Sequence, residues 1–79
     1  MSKDKIKQID KLIEVIIRMI RKERESKSVY QKTSKKAPSD MTRLLFKQLA
    51  EQEEVHEKKL RAALELLECE KKELTKLSP

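Results

Sequence analysis

Three side chains that can bind a metal ion stand where the helical pattern of the sequence calls for apolar residues. They are Glu53 and His56, in LAEQEEVHEKKL, and Glu23, in KERESKSVY. Glu-x-x-His on a helix brings both side chains to one face, one turn apart. An unpaired carboxylate is costly to bury, so each glutamate should have a compensating partner. Carboxylates and imidazole together suit iron, and also manganese or zinc.

Two long helices are the elements that must position these side chains. The absence of glycine and a charged content of 43% favour long helices over a sheet. In each helix a row of residues, which we call the stripe, recurs at alternating three- and four-residue steps and so marks one face of an α-helix. In the first helix the stripe comprises Ile6, Ile9, Ile13, Ile16 and Ile20. In the second it comprises Phe46, Leu49, Glu53, His56, Leu60, Ala63 and Leu67.

A short turn separates the two stripes. In TSKKAPSDM, Pro38 disfavours helix at Ala37, and Ser39 or Asp40 can cap the helix that follows. We therefore predict an all-α chain that forms one antiparallel helical hairpin, because so short a connection keeps the helices adjacent. The predicted bounds are 1–79 for the domain, about 3–33 for the first helix, 34–39 for the turn and about 40–76 for the second helix.

The register of this hairpin predicts that the three polar stripe residues meet. Residues equidistant from the turn lie at one level, and the midpoint between Glu23 and the Glu53/His56 pair falls near residue 39. In di-iron carboxylate bundles, two helices each give a glutamate and the other two each give Glu-x-x-His. One copy of this chain supplies one of each. The pattern therefore predicts a homodimer, a four-helix bundle holding two metal ions, whose apolar ends favour a larger oligomer.

Composition limits the other function classes. The single Cys69 allows no internal disulfide and, with one histidine, no zinc ligand set. The longest apolar cluster, LIEVIIRMI, is shorter than the roughly 20 residues that cross a bilayer. We expect a cytoplasmic protein without a membrane segment.

The net charge of +6 is uneven along the chain. Residues 1–38 hold 12 Lys/Arg against 5 Asp/Glu, and residues 39–79 hold 8 against 9. A basic face could meet nucleic acid or anionic lipid, or it could be the solvated side of an amphipathic helix. The charges are dispersed and lack interleaved aromatic residues, which disfavours a nucleic-acid partner.

The motifs resemble the rubrerythrin branch of the ferritin-like superfamily. Glu23 lies seven residues before Tyr30, similar to the first helix of that family, and LFKQLAEQEEVHEKKL is similar to its second helix. The likeness covers roughly residues 9–67, half of a ferritin-like domain, and is similar to the two-helix encapsulated ferritins, which complete their sites by dimerisation. The paired CxxC motifs of a rubredoxin module are absent, and the tail KKELTKLSP shows no clear peptide for docking to an encapsulating shell protein.

This resemblance implies a di-iron carboxylate protein with ferroxidase or related O₂ or peroxide chemistry. It makes Glu23, Glu53 and His56 metal ligands and gives Tyr30 an indirect role beside them. Lys27, one turn from Glu23, would be an unwelcome cation unless it points along the helix edge. The alternative is a non-catalytic helical oligomerisation or adaptor module, in which Glu23 pairs with a basic residue and metal is irrelevant.

Overall fold

Two antiparallel helices make up the computed structural model, which describes residues 2–77 and, at the level of side chains, residues 3–76. Helix α1 spans Ser2–Lys36 and helix α2 spans Asp40–Leu77, and these residues include no strand. The hairpin is about 62 Å long and 14 by 12 Å across. The all-α prediction is confirmed.

The turn is shorter than the predicted 34–39, because α1 continues through Lys36 instead of ending near residue 33. Nothing between Ser34 and Lys36 breaks a helix, and Pro38 acts only on the residue directly before it. The Ala37 amide donates to the Ser34 carbonyl at 3.3 Å, which closes α1 with one tight turn. The correction leaves residues 37–39 as the whole connection.

Ser39 caps the second helix. Its hydroxyl accepts a hydrogen bond from the Thr42 amide at 3.2 Å, while its carbonyl accepts the Arg43 amide at 3.0 Å. Asp40, the other predicted candidate, instead pairs with Arg43. The Ser34 hydroxyl crosses the turn and donates to the Arg43 carbonyl at 3.0 Å. These bonds fix the register on which the alignment of the two helices depends.

A single hairpin buries little apolar surface. Among the described residues the buried apolar side chains are Ile9, Ile20, Ala37 and Ala50. Large apolar side chains remain half exposed along both helices, including Leu12, Val15 and Met19 on α1 and Leu45 on α2. A chain of this size is marginal on its own core and usually gains stability from a partner.

The two sides of the hairpin differ in chemistry. On one side, which we call the outer face, ion pairs cross between the helices: Lys71 with Asp10 at 2.7 Å, Arg24 with Glu57 at 3.4 Å and Lys27 with Glu54 at 3.9 Å. Arg61 also donates to Glu57 at 2.8 Å, and this bond, helped by the charge of Arg24, lowers the Glu57 pKa.

The opposite side carries an exposed apolar row, which we call the apolar face: Leu12, Val15, Met19 and Leu45. Leu12 and Met19 are seven residues apart and so share one side of α1. Met19 also lines a groove with Glu23 and His56. The apolar face therefore runs beside the residues that the sequence singled out for chemistry.

Shortening one of the few buried side chains should weaken the fold measurably. Ile20 is 6% exposed, so Ile20→Ala should cost about 2–5 kcal/mol in the free energy of unfolding. Ile17, three residues earlier and 37% exposed, is the matched control and should lose less than about 1 kcal/mol as Ile17→Ala. Urea unfolding at one protein concentration measures both, and equal losses would contradict this core.

Candidate metal centre

Helix α1 supplies Glu23 and helix α2 supplies Glu53 and His56, and the fold brings the three side chains together. The His56 Nδ1 atom lies 3.6 Å from Glu23 Oε2 and 3.7 Å from Glu53 Oε1. One ligand atom from each residue lies within 4.8 Å of the others. Ligands that stand at about 2.0–2.2 Å from one ion lie close together in this manner, so small side-chain movements bring these three around a cation.

Glu23 carries a buried carboxylate oxygen that a bound cation would satisfy. Its Oε2 atom is buried and, among the described side chains, is the one buried polar atom without a hydrogen-bond partner. Leaving a buried acceptor unsatisfied costs about 1–3 kcal/mol, and more for a charged group. The Glu23 and Glu53 side chains are only 21% and 17% exposed. A metal ion would satisfy the oxygen and offset both charges.

The electrostatics of Glu53 indicate the same need. A hydrogen bond with Glu23 raises the Glu53 pKa most, followed by burial and the negative charge of Glu23, whereas His56 opposes the shift. Glu53 therefore holds its proton more tightly than an isolated glutamate does when no cation is present. Two neighbouring carboxyl groups cannot both ionise without a cost in free energy, because their negative charges repel.

The cluster is open on one side. Met19, Glu23, His56, Lys59 and Leu60 line a groove of about 340 Å³ beside the apolar face, and the His56 side chain is 54% exposed. One chain thus encloses its carboxylates but leaves the imidazole accessible. Met19 of the apolar row lines this opening, so a second chain packed on that row could add further ligands.

The sequence analysis did not place Lys59 at the candidate centre, although its spacing from His56 indicates that position. It stands three residues after His56, one turn along the same helix, and the structure places it in the wall of the groove. A cation at this edge adds positive charge beside the imidazole.

Lys27 and Tyr30 both lie near Glu23 in sequence, and the structure separates them. The Lys27 ammonium extends to Glu54 on the outer face and so avoids the carboxylate pair. Tyr30 is half-buried against Phe46, with ring centroids 6.2 Å apart at an angle of 41°. Seven residues of helix put Tyr30 about 10 Å along α1 from Glu23. Its role at the centre stays a prediction.

A protein-family model matches nearly the whole chain. The model described as Rubrerythrin matches residues 2–78. The chain belongs to the rubrerythrin family. Membership indicates a ferritin-like di-iron protein, since proteins of this family typically bind iron. No curated protein and no solved structure matches the chain significantly.

Within residues 2–77, neither helix contains a stretch that is both apolar and long enough to cross a bilayer.

Proposed function

We propose that two copies of this rubrerythrin-family hairpin pair in the cytoplasm through their apolar faces and complete a centre for two iron ions. This dimer oxidises Fe(II) with O₂ or peroxide. One observation carries the proposal: Glu23, Glu53 and His56 converge at a groove beside the apolar face, with the buried Glu23 Oε2 unmatched. Iron is the metal that family membership favours, while manganese and zinc also fit this ligand set.

Ligand counting supports the dimer. One chain provides two carboxylates and one imidazole, which is half of the set in a di-iron carboxylate bundle. A two-fold axis through the groove would double it to four glutamates and two histidines. Such an interface joins the same surface of both copies. Leu12, Val15, Met19 and Leu45, which water now surrounds in part, would become its core.

Each side chain has a defined task in this dimer. Bound iron would supply the electrons that reduce O₂ or peroxide. The carboxylates of Glu23 and Glu53 would offset the charge of the cations, and metal binding would compete with the proton that the raised pKa of Glu53 favours. His56 would contribute a neutral nitrogen. The Tyr30 hydroxyl would orient a carboxylate or hold a proton beside it.

The alternative function, a helical oligomerisation or adaptor module, has an observation of its own. The His56 Nδ1 atom lies within ion-pair distance of both glutamates, at 3.6 and 3.7 Å, so these three side chains can link the helices without metal. The same apolar face would then serve assembly alone. The two functions differ in whether the cluster binds Fe(II) tightly and turns it over.

Aerobic addition of Fe(II) tests the proposal directly. The wild-type protein should bind about one iron ion per chain and oxidise it, with an absorbance rise in the near ultraviolet. His56→Ala should slow the oxidation roughly a hundredfold, since a direct ligand matters at least as much as its supporting groups. Lys58→Ala, on the exposed position two residues further on, is the control and should keep the wild-type rate. A wild-type protein that neither retains nor oxidises iron would refute the metal function and leave the adaptor.

A further inference from the structure

Folding concentrates the net positive charge at one end of the hairpin. Residues 27–47, which surround the turn on both helices and which we call the turn end, include six Lys/Arg and one Asp/Glu. This stretch thus carries five of the six net positive charges of the chain. The cluster is continuous in sequence, and the turn brings its two halves, the end of α1 and the start of α2, side by side.

Most cations of the turn end have no acidic partner. Asp40 forms an ion pair with Arg43, and Lys27 forms a long ion pair with Glu54 at 3.9 Å. In the part of the chain that the structure describes, no ion pair or hydrogen bond involves the exposed ammonium groups of four lysines: Lys32, Lys35, Lys36 and Lys47. Elsewhere on the outer face, cross-helix ion pairs join Asp10 with Lys71 and Arg24 with Glu57.

A groove of about 470 Å³ runs between the helices at this end. Its walls include Lys27, Lys35, Lys47, Ala50, Glu51 and Glu54. None of these residues lines the groove of the candidate metal centre. Because the Lys27–Glu54 pair belongs to the outer face, the groove stays open when the apolar faces of two copies meet.

We propose that this groove binds an acidic segment of a partner protein. Its three lysines, from both helices, attract carboxylates of the partner. Ala50 can contact an apolar side chain of the partner, and Glu51 and Glu54 can accept hydrogen bonds from its amide or positively charged groups. A polypeptide can present both signs at this spacing, either as an extended strand or as a helix laid along the groove. The proposal is independent of the metal function.

The mixed charge of the walls argues against a nucleic acid. A duplex carries a negative charge about every 1.7 Å of its axis, so phosphates that approach the lysines also meet Glu51 and Glu54. The groove is also narrow, since packed helix axes lie about 8–10 Å apart.

A membrane surface is the competing occupant of the turn end. Amphipathic elements insert apolar side chains beside their basic ones, and Val29, Met41 and Leu44 are exposed at this end. None of these three lines the groove, whose apolar wall is Ala50, so a segment held in the groove does not need them, and vesicle binding separates the two occupants.

Charge attraction of this kind mainly accelerates encounter and falls with ionic strength. A fluorescently labelled acidic peptide, in which glutamates outnumber and alternate with lysine, glutamine and alanine, should bind wild-type protein, more weakly as salt rises. Lys35→Glu combined with Lys47→Glu should weaken binding at least tenfold. Lys35→Gln with Lys47→Gln should give a smaller loss, which separates a charge effect from any disturbance of the α1 terminus.

Lys7→Glu with Lys11→Glu makes the same charge change on exposed positions of α1 far from the groove and should reduce binding little. Circular dichroism and Fe(II) oxidation of all variants should match the wild type, since the substituted side chains contact neither the core nor the cluster. Equal losses in the two double reversals would overturn the proposal. So would an absence of peptide binding at low salt, or tighter binding of duplex DNA or phosphatidylserine vesicles that depends on Lys35 and Lys47.

Discussion

Glu53→Gln should make the metal-free protein more stable and at the same time abolish its metal binding. Glutamine keeps a hydrogen-bond donor towards Glu23 and removes the second negative charge from a pair that is poorly exposed. The expected gain in the free energy of unfolding is on the order of 1 kcal/mol, which is the typical net contribution of one hydrogen bond. Here the hydrogen bond to Glu23 is kept while the repulsion between the two carboxylates is removed. Metal affinity should fall roughly a hundredfold or more, because a ligand is lost.

The pH dependence of the metal-free protein follows from the same pair. Because the folded chain holds the Glu53 proton more tightly than the unfolded chain, the Glu53 pKa is raised above its ordinary value of 4.5. Its protonation therefore stabilises the fold below that value, and the contribution is lost as pH rises through the folded-state pKa. Glu53→Gln should remove this component, so its advantage over wild type should grow as pH increases from about 4.5 towards neutrality.

Thermal unfolding in chelator and then in the presence of Mn(II) or Zn(II), which do not oxidise under these conditions, measures both effects. In chelator, wild type should unfold at a lower temperature than Glu53→Gln. Added metal should raise the unfolding temperature of wild type and leave that of the variant unchanged. Glu51→Gln, on an exposed position two residues earlier, is the matched control and should behave as wild type. A variant that is less stable than wild type in chelator would show that the carboxylate pair is not strained.

The alignment of the candidate centre was predictable from the sequence because helix geometry is regular. Pro38 marks the turn, and the 3.6-residue repeat then places Glu23 opposite Glu53 and His56 without further information. The observed 3.6 Å approach of His56 to Glu23 across the helices agrees with this alignment. Whether these side chains ligate metal stays a prediction, since it depends on a second chain and on ions.

Long flexible side chains could not be placed from the sequence. Lys27 occupies the same stripe as Glu23, and only the folded structure shows that its ammonium reaches Glu54 across the helices. A lysine can carry its charge several ångströms away from its own backbone position while its stem stays packed. The positive charge of the turn end could be counted from its continuous sequence, but which of its lysines lack an acidic partner depends on the same side-chain reach and appears only in the folded structure.

Introducing a charge on the apolar face should dissociate the dimer and disable the iron chemistry with all metal ligands in place. Met19 is 43% exposed in one chain and lies in the wall of the metal groove. In a two-fold interface Met19→Lys would bury two ammonium groups close together, at a cost of several kcal/mol. Light scattering at micromolar concentration should show wild type as a dimer or a multiple of it and Met19→Lys shifted towards monomer.

Ile17→Lys provides the control for this experiment. Ile17 is two residues from Met19 and therefore about 200° around the helix, in a groove with Glu14, Arg18 and Arg21 away from the cluster. Its substitution should leave the dimer and the rate of Fe(II) oxidation intact, even if it prevents dimers from joining into larger assemblies. Monomeric wild-type protein, or a Met19→Lys variant that stays dimeric and oxidises iron normally, would mean that the centre does not form between apolar faces. Because the ligands are untouched in both variants, a loss of oxidation confined to Met19→Lys ties the chemistry to the second chain.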